Sequence, residues 1–385
     1  MSATVNFLAS APGISYQTRF SGTFTADSNG LISGVPVGTA VQDLIAEGAI
    51  PLAANPIANP RDFVDCGDFS VNPFQRNIPG LASGNVISTA ISNTPTYFAD
   101  RFSMVGGASS AILASIITDT TLPGYNQHLK MQRQAANTNT APIYIQHVLE
   151  SLDCYRAQSE TMTLSFYARI GANYSGGALT VQLASGTGVN QSAALLNSGS
   201  WTGQTNVINV SQAFSSQFTR YQFTGLVPAN CSQLGIQISY TPSGTAGADD
   251  SVTFQDFQLE IGASASPPER LDAQITLEIA QRFAYVIPEP ANSVIVSPGS
   301  TLAANSQTFS LPTPVQLIKA PTVTLATGSF KVAAGAAGAT STITAGSTHT
   351  PNMFSVNSTL TASQGWGALL MGGGGSGWIV ASADF

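Results

Sequence analysis

Residues Met162–Gly188 read MTLSFYARIGANYSGGALTVQLASGTG, and their alternation decides the fold class. Leu164, Phe166, Ala168 and Ile170 fall on one parity, while Thr163, Ser165, Tyr167 and Arg169 fall on the other. After Asn-Tyr-Ser-Gly-Gly the pattern resumes, with Leu179, Val181 and Leu183 set against Thr180 and Gln182. A period of two buries one face of a strand and wets the other, so the stretch predicts two half-buried antiparallel strands joined by a Gly-rich turn. Their outer face carries hydroxyls and amides and almost no charge.

The same pattern spreads outward over residues 61–268. It recurs in AILASIIT, HLKMQRQA, PIYIQHVL, NVINVSQ, RYQFTGLV, LGIQISYTP and VTFQDFQLEIG, each bounded by turn residues. About eight short strands at this spacing predict a mainly β fold, a double-sheet sandwich of jelly-roll type. In the last run Phe254 is out of phase with Phe257, Leu259 and Ile261. A bulge near Gln255–Asp256 restores the phase.

Residues 1–60 read as a separate N-terminal arm. RFSGTFTADSNGLISGVPV predicts strand, turn and strand. TAVQDLIAEG predicts a short helix, with Thr39 as N-cap and Gly48 after its end. The Pro- and Asn-rich Ile50–Asn59 is a linker. At the other end, Ser266–Phe283 predicts a helix, with Leu271, Ile275 and Ile279 forming a stripe that covers a seam. That helix opens the third part, 269–385, whose short strands predict a small C-terminal β-domain.

Composition narrows the function. Charged residues are 9% of the 385, against about a quarter in an ordinary globular protein, so the surface hydrogen-bonds without carrying a strong field. The net charge is −7 with no basic cluster, which argues against nucleic acid as a partner. No run reaches the ~18 apolar residues of a membrane span, and the start lacks the basic region of a signal peptide. Cys66, Cys154 and Cys231 are odd in number and widely spaced, which predicts buried free thiols in a reducing cytoplasm instead of a disulfide framework or a zinc site.

An ordered set of segments carries a resemblance: CGDFSVNPFQRN, YFADRFSM, LKMQRQAANTNTAPIYIQHVLE, the opening stretch, QLGIQISYTPSGTAGADDSVTFQDFQLEIGA and PPERLDAQITLEIAQRF. Over Asp65–Phe283 the chain resembles a tail-fibre-like, carbohydrate-binding-like module of tailed-phage and prophage virion proteins. KAPTVTLATGSF and the closing GWIVASADF are similar to a small β-domain that often follows it. The first 60 residues resemble, more loosely, a short unit of phage structural proteins. Pro73-Phe74 departs from the module's usual opening, where an aromatic such as Trp is common.

The resemblance implies a non-enzymatic sandwich on the virion surface, assembled in the bacterial host cytoplasm. It implies a homotrimer, joined to other virion proteins through residues 1–60 and touching host surface polysaccharide. A long fibre needs a coiled-coil or repetitive shaft. Lacking one, the compact chain fits a capsid decoration protein or short head fibre better than a tail fibre or receptor-binding adhesin.

The remaining chemistry is weighed residue by residue. Asp65/Asp68, Glu150/Asp153 and Asp249/Asp250 are acid pairs, but glycoside cleavage needs two carboxyls facing across a cleft. Neighbours on one loop seldom do that, so no catalytic residue and no depolymerase activity is expected. His128, His147 and His349 lie far apart and read as solvated or hydrogen-bonded. MGGGGSGWIV lacks the Lys-Ser/Thr of a phosphate loop. No cofactor is expected. Asp65, Asp68, Asp256 and Glu260 lie at the two ends of the module and form a candidate set for structural calcium. Tyr167, Tyr174, Trp201 and Tyr240 are candidate glycan platforms, with burial or a subunit contact as the alternative for Trp201.

Overall fold

The computed structural model describes residues 2–10, 17–26, 32–33, 62–69, 87–91 and, with short gaps, 95–384. The chain forms two compact units, Met1–Arg61 and Asp62–Phe385. In the first, β1 (Ser2–Ser10), β2 (Gln17–Ala26) and β3 (Ile32–Ser33) make an antiparallel sheet in that order. The Asp-Ser-Asn-Gly turn expected between β2 and β3 lies outside the described residues. The helix expected at Thr39–Gly48 lies outside the described residues.

The second unit begins its sheets with β4 (Ile87–Ile91), β5 (Thr96–Ala99), β6 (Phe102–Gly106), β7 (Ser110–Thr118), β8 (Gln127–Arg133) and β9 (Ile143–Val148). A one-turn helix α1 (Ser151–Cys154) leads to β10 (Thr161–Ile170) and β11 (Leu179–Gly186). After α2 (Ala193–Asn197) come β12 (Thr205–Gln212), β13 (Thr219–Leu226), β14 (Gln233–Tyr240) and β15 (Ser251–Ile261). They form two six-stranded antiparallel sheets, β13-β10-β15-β8-β7-β4 and β12-β11-β14-β9-β6-β5. Consecutive strands occupy matching positions in opposite sheets, which is the jelly-roll winding. Among the described residues twelve strands replace the eight or so expected, because some runs, such as Phe102–Gly106, are too short to show a period.

One expectation is corrected. The two strands of Met162–Gly188 are not a paired hairpin: β10 bonds to β13 and β15, and β11 to β12 and β14. The Gly-rich turn carries the chain from one sheet to the other. Period-two alternation identifies which face is apolar but not which strand is the neighbour. Here the two apolar faces meet through the core, Leu164 and Phe166 from one side and Leu179, Val181 and Leu183 from the other. Phe166 is fully buried, with its ring 5.0 Å from Phe257 and 5.9 Å from Phe254. Each such side chain contributes about 1.5–3 kcal/mol.

The expected bulge is present. Ser165 pairs with Gln258 while Tyr167 pairs with Gln255, so two residues of β15 oppose Phe166. Asp256 takes the left-handed conformation (φ 59°), which Asp tolerates better than most residues. Both Phe254 and Phe257 thereby reach the core.

The helix α3 (Ala273–Gln281) is shorter than Ser266–Phe283 and is capped by Asp272, whose carboxylate accepts the Gln274 N–H at 2.8 Å. Its buried face centres on Thr276 and Ala280, and Ile275 and Ile279 are half-buried beside it. Next come β16 (Ala284–Pro288), β17 (Ile295–Ala303), β18 (Ser306–Pro312), β19 (Thr322–Ala326) and β20 (Lys331–Ala334). The last strands are β21 (Ala337–Thr340), β22 (Ile343–Thr350), β23 (Met353–Ser358), β24 (Gly367–Met371) and β25 (Trp378–Ser382). They build a three-stranded sheet, β16-β25-β19, and a seven-stranded one, β21-β20-β24-β17-β18-β23-β22. The buried Arg101 ties sandwich to C-terminal sheets. Its guanidinium stacks 3.5 Å over Phe283 and donates to the Val148 carbonyl, with Asp65 at 3.5 Å and Asp384 at 3.6 Å. All three cysteines are buried and none is in a disulfide.

Candidate functional site

The outer face of the first sheet holds a walled site lined by charged side chains. Arg169, Thr253 and Lys130 lie in register across β10, β15 and β8. Above them the 171–172 turn and Asp249 wall a cavity of about 270 Å³, with Ile117 and Ile170 supplying apolar surface. Gly171 is required for the wall: a Cβ there would lie 2.3 Å from the Asp249 carbonyl oxygen. The Asp249 carboxylate accepts hydrogen bonds from Lys130 Nζ (2.8 Å), Ser251 Oγ (2.8 Å) and the Ala172 N–H (3.0 Å). Arg169 pairs with Asp119, donates to Thr121 Oγ1 at 3.3 Å and lies 4.5 Å over the Phe218 ring.

A buried ion pair fixes the loops that make this wall. Arg133 donates to Asp250 Oδ2 (2.8 Å), Ser175 Oγ (3.0 Å), and the carbonyls of Asn137 (2.8 Å) and Gly244 (3.0 Å). Asp250 accepts in turn from the Ser175 N–H (2.9 Å) and hydroxyl (2.7 Å). One arginine thus joins the ends of three loops, and the residue before its partner is Asp249.

The electrostatics of the cavity decide its chemistry. Desolvation raises the Asp249 carboxyl, but bonds from Lys130, Ser251 and Ala172 outweigh it and leave the carboxyl below its ordinary range. Asp119 behaves alike: burial pushes up, while the Thr121 amide and hydroxyl and the Arg169 charge pull it further down. Both acids stay ionised at neutral pH. Neither is the raised, proton-donating carboxyl that glycoside cleavage requires.

The second sheet presents a different outer face. Gln146 Nε2 donates to Gln237 Oε1 (2.8 Å), Gln237 Nε2 to Gln182 Oε1 (3.1 Å), and Gln182 Nε2 to Asn206 Oδ1. This amide ladder crosses β9, β14, β11 and β12, from buried Gln146 to exposed Asn206. Beside it, α2 and the loop to β12 pack Ala193, Leu196 and Trp201 onto Val148 and Ala184.

The four aromatic candidates do not share a face. Trp201 is 3% exposed, its indole N–H bonded to the Ser192 carbonyl at 2.9 Å, and its ring seated where a Cβ on Gly235 would be 2.5 Å away. Tyr240 is 2% exposed and belongs to the core. Both are packing residues, with no free ring face for a sugar. Tyr174 is half-buried against Tyr240 (5.1 Å between rings) and donates to the Gly177 carbonyl at 3.0 Å. Tyr167 is half-buried on the first sheet's outer face, 5.8 Å from the Arg220 guanidinium.

The calcium set is not assembled. Among the described residues no group of three or more His, Cys, Asp and Glu side chains could hold a metal ion. Asp65 turns to Arg101, and the Asp68 carbonyl accepts from Gln255 at 3.1 Å. Asp256 sits in the bulge. Glu260 is buried under the 262–266 turn, where its carboxylate accepts from the Ser266 N–H (2.7 Å) and hydroxyl and takes a bond from Gln258.

His147 departs from the expectation that histidines are solvated or bonded: it is buried, and neither ring nitrogen has a partner. The cavity residues Lys130 and Arg169, and the Asp119 that pairs with Arg169, were not singled out in the sequence. The signal that could have found them is scarcity: where charges are rare, a Lys or Arg on the polar parity of a strand is worth a question.

Comparison with known protein families and with curated proteins finds no match. Among solved structures, the CBM22-1–GH10 modules of the Clostridium thermocellum xylanase Xyn10B, complexed with xylohexaose, are similar at 9% identity and TM-score 0.27. That match covers 44% of this chain and 28% of the xylanase chain. A CBM4 structure matches at 14% identity and TM-score 0.30, over 52% of this chain and 99% of its own. The enzymatically active domain of bacteriophage CBA120 tailspike protein 4 matches at 10% identity and TM-score 0.30, covering 53% and 22%. Likenesses at these values bear on the β-sandwich fold alone.

Proposed function

We propose that this chain is a non-enzymatic structural protein of a bacteriophage virion exterior, a trimeric capsid decoration protein or short head fibre. Residues 1–60 attach it, and the jelly roll and C-terminal sheets project. The virion half of this reading rests on the ordered segments of Asp65–Phe283. The non-enzymatic half is supported by one observation: the acid lining the cavity, Asp249, and the acid behind its Arg169, Asp119, are each locked to a cation. The test is to locate the protein on intact particles by labelled micrographs and to delete residues 1–60. Particles should lose the protein while the remaining chain still folds. Labelling confined to the tail, or full incorporation of the deletion, refutes the reading.

A second reading, an adhesin that recognises host surface glycan without cutting it, is favoured by the cavity itself, which offers donors and acceptors side by side. Host polysaccharide should bind the chain and emerge with its length unchanged. Shortened polymer would make the protein a depolymerase instead.

A further inference from the structure

The cavity on the outer face of the first sheet has a chemistry that narrows its ligand, provided the adhesin reading holds. Its volume of about 270 Å³ is just under the ~300–1,000 Å³ of drug-sized pockets, which suits one small polar ring and not a longer stretch of polymer. Its charges cancel: Lys130 is paired with Asp249 and Arg169 with Asp119. An ionic ligand would meet no net field and would have to displace a formed ion pair. A polyhydroxyl ligand needs no such displacement. Two of the three Lys130 N–H donors are unspent on Asp249, and the carboxylate retains acceptor capacity beyond its three bonds. Neighbouring hydroxyls on one ring can therefore bridge the pair, one accepting from Lys130 and the other donating to Asp249. Ile117 gives the ring's C–H face an apolar wall, and Thr253 lies on the floor between the two cations.

We infer that this cavity binds a single neutral sugar unit, a chain end or a branch, through two adjacent hydroxyls held by Lys130 and Asp249. It lies on the opposite sheet from the amide ladder and uses none of the aromatic candidates.

The experiment titrates the full chain with neutral monosaccharides (glucose, galactose, mannose and N-acetylglucosamine) and with glucuronate and galacturonate, read by saturation-transfer NMR. Intact host polysaccharide is titrated in parallel. At least one neutral sugar should bind, and Asp249→Asn should weaken it roughly tenfold or more, the worth of one hydrogen bond to a charged group. Ser216→Trp, at the exposed rim, should abolish binding by filling the mouth without touching the pinned loops, which guards against a folding defect in Asp249→Asn. Uronates binding more tightly than neutral sugars would overturn the inference. Polysaccharide that binds equally to the wild type and to both variants would overturn it too, while leaving the adhesin reading intact. If neither sugars nor polysaccharide bind, both fall together.

Discussion

Replacing Arg133 with Met is the sharpest test of how the loops are held. The side chain is 1% exposed and its partner Asp250 is 0% exposed. Methionine keeps much of the volume but leaves the Asp250 carboxylate buried without its cation, and takes the guanidinium from the Gly244 carbonyl and from the Asn137 carbonyl, which keeps only the Ala246 N–H. Breaking one side of a buried pair costs about 3–5 kcal/mol. For a chain of this size that lowers the thermal midpoint by about 5 °C. The double variant Arg133→Met/Asp250→Leu removes the stranded charge, so it should fall less than the sum of the singles. The coupling should approach the upper part of the roughly 0.5–3 kcal/mol range for residues in one network. Differential scanning calorimetry of the four proteins gives both numbers. A loss below about 1 kcal/mol for Arg133→Met with no coupling would refute the reasoning. It would mean that backbone bonds such as Ala136 N–H to the Ala246 carbonyl (2.9 Å) hold the loops unaided. Hydrogen exchange should also rise in residues 171–177 and 242–250, although Arg133 does not line the cavity.

Three further outcomes are expected. Burial, and the nearby Arg101 charge, hold the His147 pKa well below its ordinary value, so the unfolded chain takes a proton that the folded chain refuses. Stability is then complete above about pH 6.5 and falls below it by up to about 1.4 kcal/mol per pH unit. Urea midpoints at pH 7.5 and 5.5 should draw closer in His147→Leu, and an unchanged gap would refute this. Burial raises Asp62 and Asp65, which act in the opposite sense: their contribution is present below about pH 4 and is lost as pH climbs through their folded values, so the comparison is made on the variant. Trp201→Ala should cost about 3–5 kcal/mol locally and speed hydrogen exchange in residues 186–204; loss of glycan binding with stability unchanged would show its burial to be misread. Chelation with EDTA should leave the thermal midpoint unmoved, whereas a calcium site filled at a hundredfold its Kd would give up about 2.7 kcal/mol.

The faces of the sandwich were legible in the sequence, and its pairing was not. Alternation at Leu164–Phe166–Ala168 and at Leu179–Val181–Leu183 named the buried side chains, because burial is a property of one strand's own period. Which strands are neighbours depends on the closure of the whole sheet. A turn of Asn-Tyr-Ser-Gly-Gly serves equally well to fold a hairpin or to cross from one sheet to the other. The bulge at Asp256 was readable because a phase error inside a strand has a single local remedy.

The site was less legible for a related reason. Trp201 stands among small polar residues, GSWTGQ, so its loop looked too polar to bury a ring. The pocket that buries it comes from β14, where Gly235 lacks the Cβ that would strike the indole, 34 positions away in sequence. Asp249 shows the converse. It was read correctly as a turn residue, but the same carboxylate that caps the 171–172 turn also meets Lys130 from a strand more than a hundred residues earlier. A turn-forming acid becomes part of a binding surface only when a distant strand brings a cation to it. In a chain so poor in charge, the positions where opposite charges do meet are those the fold has gone furthest to assemble. That ranks the Lys130–Asp249 and Arg169–Asp119 pairs above any exposed aromatic as the places to look for a ligand.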